Sequence, residues 1–229
     1  MIKNLLLDLL FPRCCLGCNL EGKWLCDRCR IKLLEVTGDR KCKICNQKLK
    51  AFHFCKLDGR NFFALLDYHN RITAQLIAGF KYRYLTDLVD DVFAELLKSF
   101  WENSKSFFID QTIILPLPIH YRKKLKRGFN QSELLAQKLS DFSGLKVAND
   151  LLFRVVNNKS QAGLGNIKDR RKNTVGIFKI NYRALSRYQG RKILLLDDVY
   201  TTGCTIDEVI KVLEGAGFTD ISVLVMVLN

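Results

Sequence analysis

Two groups of residues in this 229-residue chain have the types and the spacing to do chemistry. The first lies near the C-terminus, where an unbroken apolar stretch, Ile193 to Leu196, runs into two adjacent carboxylates, Asp197 and Asp198. Val199 and Tyr200 follow, then a small, hydroxyl-rich turn of Thr201, Thr202, Gly203, Cys204 and Thr205. Adjacent carboxylates accept hydrogen bonds from vicinal hydroxyls and hold hard cations through oxygen or water. A tight turn entering a helix offers backbone N–H groups to an anion, threonine hydroxyls add donors, and a glycine lets the backbone come close. Carboxylates and anion turn side by side suit a sugar phosphate. The second group is cysteine. Eight of the nine fall between Cys14 and Cys55, and Cys204 stands alone.

The cysteine spacing is that of metal knuckles rather than of disulfides. Cys15-x-x-Cys18 and Cys26-x-x-Cys29 are seven residues apart and can place four thiolates around one Zn²⁺. Cys14 is the spare thiol beside the first knuckle. Cys42-x-x-Cys45 and Cys55 supply three ligands for a second site. Asp58 is favoured as its fourth ligand because Cys55-x-x-Asp58 keeps the knuckle spacing, and His53 is the other donor nearby. Sequential and interleaved pairing of the knuckles fit this spacing equally. The expected cofactors are structural zinc, at one site or two, and Mg²⁺ at the aspartates.

These groups need a frame. Ile193–Leu196 reads as a strand buried on both faces of a parallel sheet, with the acids at its end and a helix beginning at Thr205 and ended by Gly215 and Gly217. Further strands are expected at Phe62–Tyr68, Thr112–Pro118, Phe178–Ile180 and Ile221–Leu228. Helices are expected at Ile72–Phe80, Leu85–Phe100 and from Asn130 through Leu139 to Gly144, with residues 2–11 as a short apolar helix. The fold class is α/β, a mostly parallel sheet flanked by helices. A zinc-ribbon module at residues 1–60 precedes an α/β domain at residues 61–229. An apolar strand ending in Asp-Asp also resembles the acidic strand of P-loop ATPases, but no G-x-x-x-x-G-K-[ST] loop accompanies it.

Net charge is +14, and its placement is uneven. Residues 120–192 carry 18 Lys/Arg against 4 Asp/Glu, and residues 1–60 carry 13 against 6. Excess confined to two regions implies a polyanionic partner. Arg122, Lys124 and Arg127 sit in what reads as a cationic loop between strand and helix, suited to a diphosphate and closed by Gly-Phe-Asn-Gln131. Gln161, Arg170, Arg171 and Asn173 belong to a glycine-bearing basic stretch that reads as a flap over a phosphate-bearing substrate. Phe80-Lys-Tyr-Arg-Tyr84 interleaves cations with aromatics, either to grip bases and phosphates or as an ordinary helix end. The Leu5–Phe11 run is too short and interrupted to span a bilayer and lacks a cleavage site, so a cytoplasmic protein is expected.

The run Leu196-Asp-Asp-Val-Tyr-Thr-Thr-Gly-Cys-Thr205 resembles the phosphoribosyl pyrophosphate (PRPP) motif of type I phosphoribosyltransferases. With the cysteine ribbons, Pro116-Leu-Pro118, Arg127-Gly-Phe-Asn-Gln131 and the Gln161…Asn173…Phe178 series, nearly the whole chain is similar to the ComF family of bacterial competence-related proteins, which also includes GntX. Asp58 stands where that family usually has cysteine. The resemblance implies a type I phosphoribosyltransferase-like fold, PRPP binding, and a part in natural transformation. That part is the handling of single-stranded DNA at the inner face of the membrane, with no integral membrane segment.

Three functions follow. In a phosphoribosyltransferase, Asp197 and Asp198 would hold the ribose, Thr201–Thr205 the 5′-phosphate, and Arg122, Lys124 and Arg127 the departing diphosphate. In a DNA-handling protein, the basic regions would track phosphates and the PRPP site would be a sensor or remnant. In a PRPP-responsive adaptor, the ribbons would contact a protein such as a competence helicase or an inner-membrane channel.

Overall fold

The computed structural model describes residues 12–36, 38–108, 111–157 and 175–229. The expected helix over residues 2–11 and the expected flap residues Gln161, Arg170, Arg171 and Asn173 lie outside the described residues.

Six strands form one sheet: β1 (His53–Leu57), β2 (Arg60–Asp67), β3 (Thr112–Pro116), β4 (Lys146–Val147), β7 (Lys192–Tyr200) and β8 (Ile221–Leu228), in the order β1-β2-β8-β7-β3-β4. All neighbours run parallel except β1, which pairs antiparallel with β2 at the edge. β5 (Leu152–Arg154) and β6 (Phe178–Ile180) form a separate antiparallel pair. The central strands are apolar because helices or loops cover both faces. Along β7, Ile193 and Leu195 join one core while Leu194 and Leu196 join the other, as the two-residue strand period requires.

The first core packs α2 (Arg71–Tyr82), α3 (Ala94–Ser104), preceded by a π-helical turn at Val89–Phe93, and α5 (Gln131–Ser143) on the sheet. The second core packs α7 (Cys204–Gly215) and the β5–β6 pair on the opposite face, with α6 (Tyr182–Leu185) leading into β7. The cysteine segments divide between the two faces. Cys15 and Cys29, with α1 (Asp27–Leu33), belong to the first core, while Cys42 and Cys55 belong to the second. Asn70 fastens the first segment: its Oδ1 accepts from Ile72 N at 2.9 Å and caps α2, while its Nδ2 donates to Lys32 O at 2.7 Å and Glu35 O at 2.8 Å.

Two elements differ from expectation. β7 does not stop at Leu196 but continues to Tyr200, because Asp197, Val199 and Tyr200 keep pairing with Val225, Val227 and Leu228 of β8. The cationic stretch after β3 is not a loop but a two-turn helix, α4 (Tyr121–Arg127), capped by the His120 ring and ended by left-handed Gly128. Lys and Arg are good helix formers, so a run of them between two capping residues folds as a helix.

Candidate functional site

Strand order places the site. From the adjacent strands β3 and β7, the chain leaves in opposite directions, through α5 to β4 on one face and through α7 to β8 on the other. That divergence opens a crevice outside the carboxyl ends of the two strands, where open α/β sheets take their ligands. Asp197 and Asp198 stand in it, one residue beyond the register pair Pro116–Leu196. Leu117 N still bonds Leu196 O at 2.8 Å, which holds the β3 exit against the acids.

The two carboxylates have different partners because adjacent strand positions diverge. Asp198 receives Lys81 Nζ at 2.8 Å, from the last turn of α2. Asp197 Oδ1 accepts from Ser132 Oγ at 3.2 Å and from Asp198 N at 2.8 Å. Ser132 sits in the first turn of α5, whose partial positive end also favours the carboxylate. Burial, then the like charge of Asp198, pushes Asp197 up to about 7, against the opposing pull of Lys81. Burial opposes the charge of Lys81, but Asp198 and Asp197 together hold its ammonium above the usual lysine range.

The turn after β7 is built around Gly203. It adopts φ +79°, and a Cβ there would lie 2.4 Å from Tyr200 Oη. Only glycine fits, so the backbone turns tightly into α7, with Asp207 N closing on Gly203 O at 2.8 Å. The helix begins at Cys204, one residue earlier than expected. Thr201 is exposed, and Thr202 and Thr205 are half-buried at the mouth of this turn. Burial raises the Tyr200 phenol to about 12, so it stays neutral beneath the turn.

Because α4 is a helix, its cations sort by face. Lys123 and Arg127, four residues apart, are half-buried, whereas Arg122 and Lys124 are exposed. Arg122 Nε bonds the neighbouring Tyr121 hydroxyl, and Lys124 Nζ pairs with Glu133 at 2.6 Å. Lys123 feels burial first and then the positive charges of Arg154 and Arg127, which lower it; Arg154 is itself lowered by burial and pulled upward by Asp197. Lys123, Arg127 and Arg154 therefore form one cationic group, which Arg154 brings within electrostatic reach of Asp197. The Arg127–Gln131 segment is mostly scaffold. Phe129 stacks on Phe80 at 6.0 Å, Asn130 caps α5 and ties to Leu117 O at 3.1 Å, and Gln131 accepts from Arg127 at 2.9 Å.

Sequence reasoning missed Lys81, Lys123, Ser132 and Arg154. Lys81 and Lys123 were visible only as members of basic runs. Ser132 and Arg154 had no sequence signal, since only the fold brings them near Asp197.

The cysteines form two separate tetrads, paired sequentially: Cys15, Cys18, Cys26 and Cys29, and Cys42, Cys45, His53 and Cys55, each with ligand atoms within 4.8 Å of one another. The first knuckle of each is the same turn, closed by Asn19 N on Cys15 O at 2.7 Å and by Asn46 N on Cys42 O at 2.9 Å, with both asparagines left-handed. Thiolates and one imidazole at such separations suit tetrahedral zinc. Burial raises Cys15, but backbone N–H groups of Cys26, Cys18 and Gly17 outweigh it and bring the thiol down to about 6. Burial keeps His53 below the usual histidine range, in the neutral form that binds metal. Cys14 stays outside, its thiol turned to Pro12 O at 3.5 Å.

Asp58 does not join the second tetrad. Cys55 lies on a strand, where residues two apart share a face, so His53 and Cys55 point together. Asp58 and Gly59, at φ 47° and 81°, form the two-residue turn of the β1–β2 hairpin. The Asp-Gly dipeptide was the signal that marks this turn; knuckle spacing applies where the chain turns, not where it is extended.

Residues 125–229, which include Arg127, both aspartates and the Gly203 turn, match the phosphoribosyl transferase domain. The chain is similar to Competence protein F of Haemophilus influenzae, 26% identical over 220 residues covering 86% of this chain and 94% of that protein. It is similar also to Competence protein ComFC of Bacillus subtilis, 26% identical over 197 residues covering 80% and 74%. DNA utilization protein YhgH of Escherichia coli O157:H7 is 32% identical over 110 residues, 48% of this chain and 46% of that protein. The fold and the domain match define a phosphoribosyltransferase-like α/β protein. With these relatives, the chain is similar to proteins of the ComF family.

Proposed function

We propose that this chain binds PRPP with Mg²⁺ in the crevice between β3 and β7 and acts in natural transformation, handling single-stranded DNA on the cytoplasmic side of the membrane. The observation that carries the first part is the conjunction at one strand end: two carboxylates, then a turn whose Gly203 has no room for a side chain. Asp197 and Asp198 would accept the ribose hydroxyls, and the backbone N–H groups and hydroxyls of Thr201–Thr205 would take the 5′-phosphate. Lys123, Arg127 and Arg154 would take the diphosphate, with Arg127 and Arg154 able to bind it through two N–H groups. The all-oxygen donor set fits Mg²⁺, which when bound would offset charge between carboxylates and diphosphate. Zinc in the two tetrads would be structural, each set complete without water.

The second part rests on the competence and DNA-utilization relatives and on the net charge of +14. Among the described residues no helix is long and apolar enough to cross a membrane, which fits a peripheral protein. Calorimetric titration with PRPP and Mg²⁺ tests the first part: saturable binding that disappears in Asp197→Asn/Asp198→Asn supports it, and a zinc-replete, folded wild type that binds nothing refutes it.

A second reading, pentosyl transfer, is favoured by the cationic group beside Asp197. As the bond from ribose C1 to the diphosphate breaks, negative charge builds on the leaving group, and preorganised cations there stabilise it. Release of diphosphate in a single turnover distinguishes transfer from binding alone.

A further inference from the structure

The turn at Gly203 and the second cysteine tetrad share one core. Cys42 and Cys55 lie there with Phe62 and Tyr200, whereas Cys15 and Cys29 of the first tetrad lie in the opposite core. Tyr200 ends β7, and its buried ring fills the space beneath Gly203 that a side chain there would need. The position of this ring therefore sets where the turn can lie.

Two connections run from the tetrad to the ring. Cys55 and Phe62 are register partners in the β1–β2 hairpin, and the Phe62 ring meets the Tyr200 ring edge-on at 5.1 Å. Register partners stand on the same face of a sheet, so Phe62 joins the Cys55 ligand to Tyr200. The other connection starts at Arg40, two residues before Cys42. Arg40 Nε meets the fully buried Asp67 carboxylate at 3.4 Å, an ion pair without the alignment of a hydrogen bond. Asp67, Leu228 and Tyr200 form one row of register partners across β2, β8 and β7. Arg40 thus fastens the knuckle at the sheet end where the turn begins. The Tyr200 phenol, raised first by burial, also feels the charges of Asp207, Asp58 and Cys42.

β1 is an edge strand, paired with β2 alone. Its position therefore depends more on zinc at Cys42, Cys45, His53 and Cys55 than that of a central strand could. Packed side chains pass a shift of one on to its neighbours, because the interior is dense and has few voids. We propose that zinc in the second tetrad positions the turn at Gly203 through Phe62 and Tyr200, so that occupancy of this site tunes sugar-phosphate affinity. Tyr200 then works as a positioning residue. The inference rests on the reading that Thr201–Thr205 take a 5′-phosphate, and it gives that half of the crevice a metal dependence of its own.

Ribose 5-phosphate, which carries the 5′-phosphate without the diphosphate, tests this on the zinc-loaded chain. Zinc affinity at each tetrad is read by competition with a colorimetric chelator, with and without a saturating concentration of the sugar phosphate. Cys18→Ser and His53→Ala, each keeping one site, assign the two ions. Linkage is reciprocal, so the ligand should tighten zinc at the second tetrad by the factor by which zinc tightens the ligand, about fivefold or more. Zinc at the first tetrad should not respond. Tyr200→Leu should bind both ions yet lose the coupling, and Tyr200→Phe, which keeps the ring, should retain it. Equal tightening at both tetrads would reflect general stabilisation of the folded chain and would overturn the proposal. So would unchanged zinc affinity at the second tetrad while calorimetry shows the sugar phosphate bound. Binding of PRPP without ribose 5-phosphate would place the affinity in the diphosphate half and count against it equally. Failure of the wild type to bind either compound would overturn the phosphate reading itself.

Discussion

Lys81 Nζ lies 2.8 Å from Asp198 Oδ1, which joins the last turn of α2 to the acidic end of β7. The ion pair covers one carboxylate of an adjacent pair and leaves Asp197 to burial and to Asp198's charge. Lys81 thus offsets part of the repulsion between the two adjacent carboxylates.

Lys81→Met should leave Asp198 uncompensated beside Asp197. Removing one partner from a buried pair costs about 3–5 kcal/mol, and partial exposure of Lys81 brings the expected loss nearer 1–3 kcal/mol. Thermal unfolding at pH 8 checks the size. The deficit should shrink as pH falls below about 7, where Asp197 takes up a proton and the repulsion that the ammonium offsets disappears.

Asp197→Asn should stabilise the ligand-free protein above neutral pH. A carboxyl raised from 3.8 to about 7 binds more protons folded than unfolded, so wild-type stability falls as pH rises from about 4 to 7. The asparagine variant lacks that loss. Its advantage should be absent below pH 4, grow through the acid range and level off above about pH 7, reaching at most a few kcal/mol. Denaturant midpoints across pH measure it; a variant less stable than wild type at pH 8 would refute the burial cause. PRPP binding should be lost in the same variant, a separation of stability from function common at ligand sites.

Gly203→Ala places a methyl group against Tyr200 and imposes a left-handed φ on alanine. A loss of about 1–3 kcal/mol is expected, with weaker phosphate binding as the turn opens. Tyr200→Phe should restore only part, since a ring carbon remains 2.9 Å from the new Cβ. Full restoration by Tyr200→Phe would mean that the hydroxyl contact, not φ, sets the requirement.

His53→Ala should reduce bound zinc from two equivalents to one, while Asp58→Ala leaves it at two. Metal analysis of the purified variants decides between the two ligands. Because the tetrads sit in opposite cores, removing zinc by chelation should lower the unfolding temperature of the whole chain rather than release a separate module.

Lys123→Ala and Arg154→Ala should weaken PRPP binding about tenfold each, whereas Arg122→Ala and Lys124→Ala should leave it within about twofold of wild type. Calorimetry on the four variants orders them. Equal effects would mean that the diphosphate lies outside the helix face that holds Lys123 and Arg127.

Some of this was determined by sequence alone, because the signals are local. Ile193–Leu196 is apolar at every position and Ile221–Leu228 at all but Ser222, a pattern that no half-exposed strand tolerates, and a parallel sheet followed. Asp197, Asp198 and Gly203 form one contiguous run, so their order was legible, as were the Asn130 cap and the Gly144 stop of α5. Paired C-x-x-C knuckles likewise carry their spacing within a few residues. Other features depended on where distant segments meet. The fourth ligand of the second tetrad is His53 because β1 is extended, and strand period replaced knuckle spacing. The cations near Asp197 are Lys123 and Arg154 because α4 folds as a helix with one face inward and the β5–β6 pair packs beside it. Lys81, 117 positions before Asp198, reaches it because Phe80 and Phe129 stack and turn the end of α2 toward β7. Contiguous chemistry can be read along a chain; contacts closed by packing depend on register, helix face and sheet order, which only the tertiary structure sets.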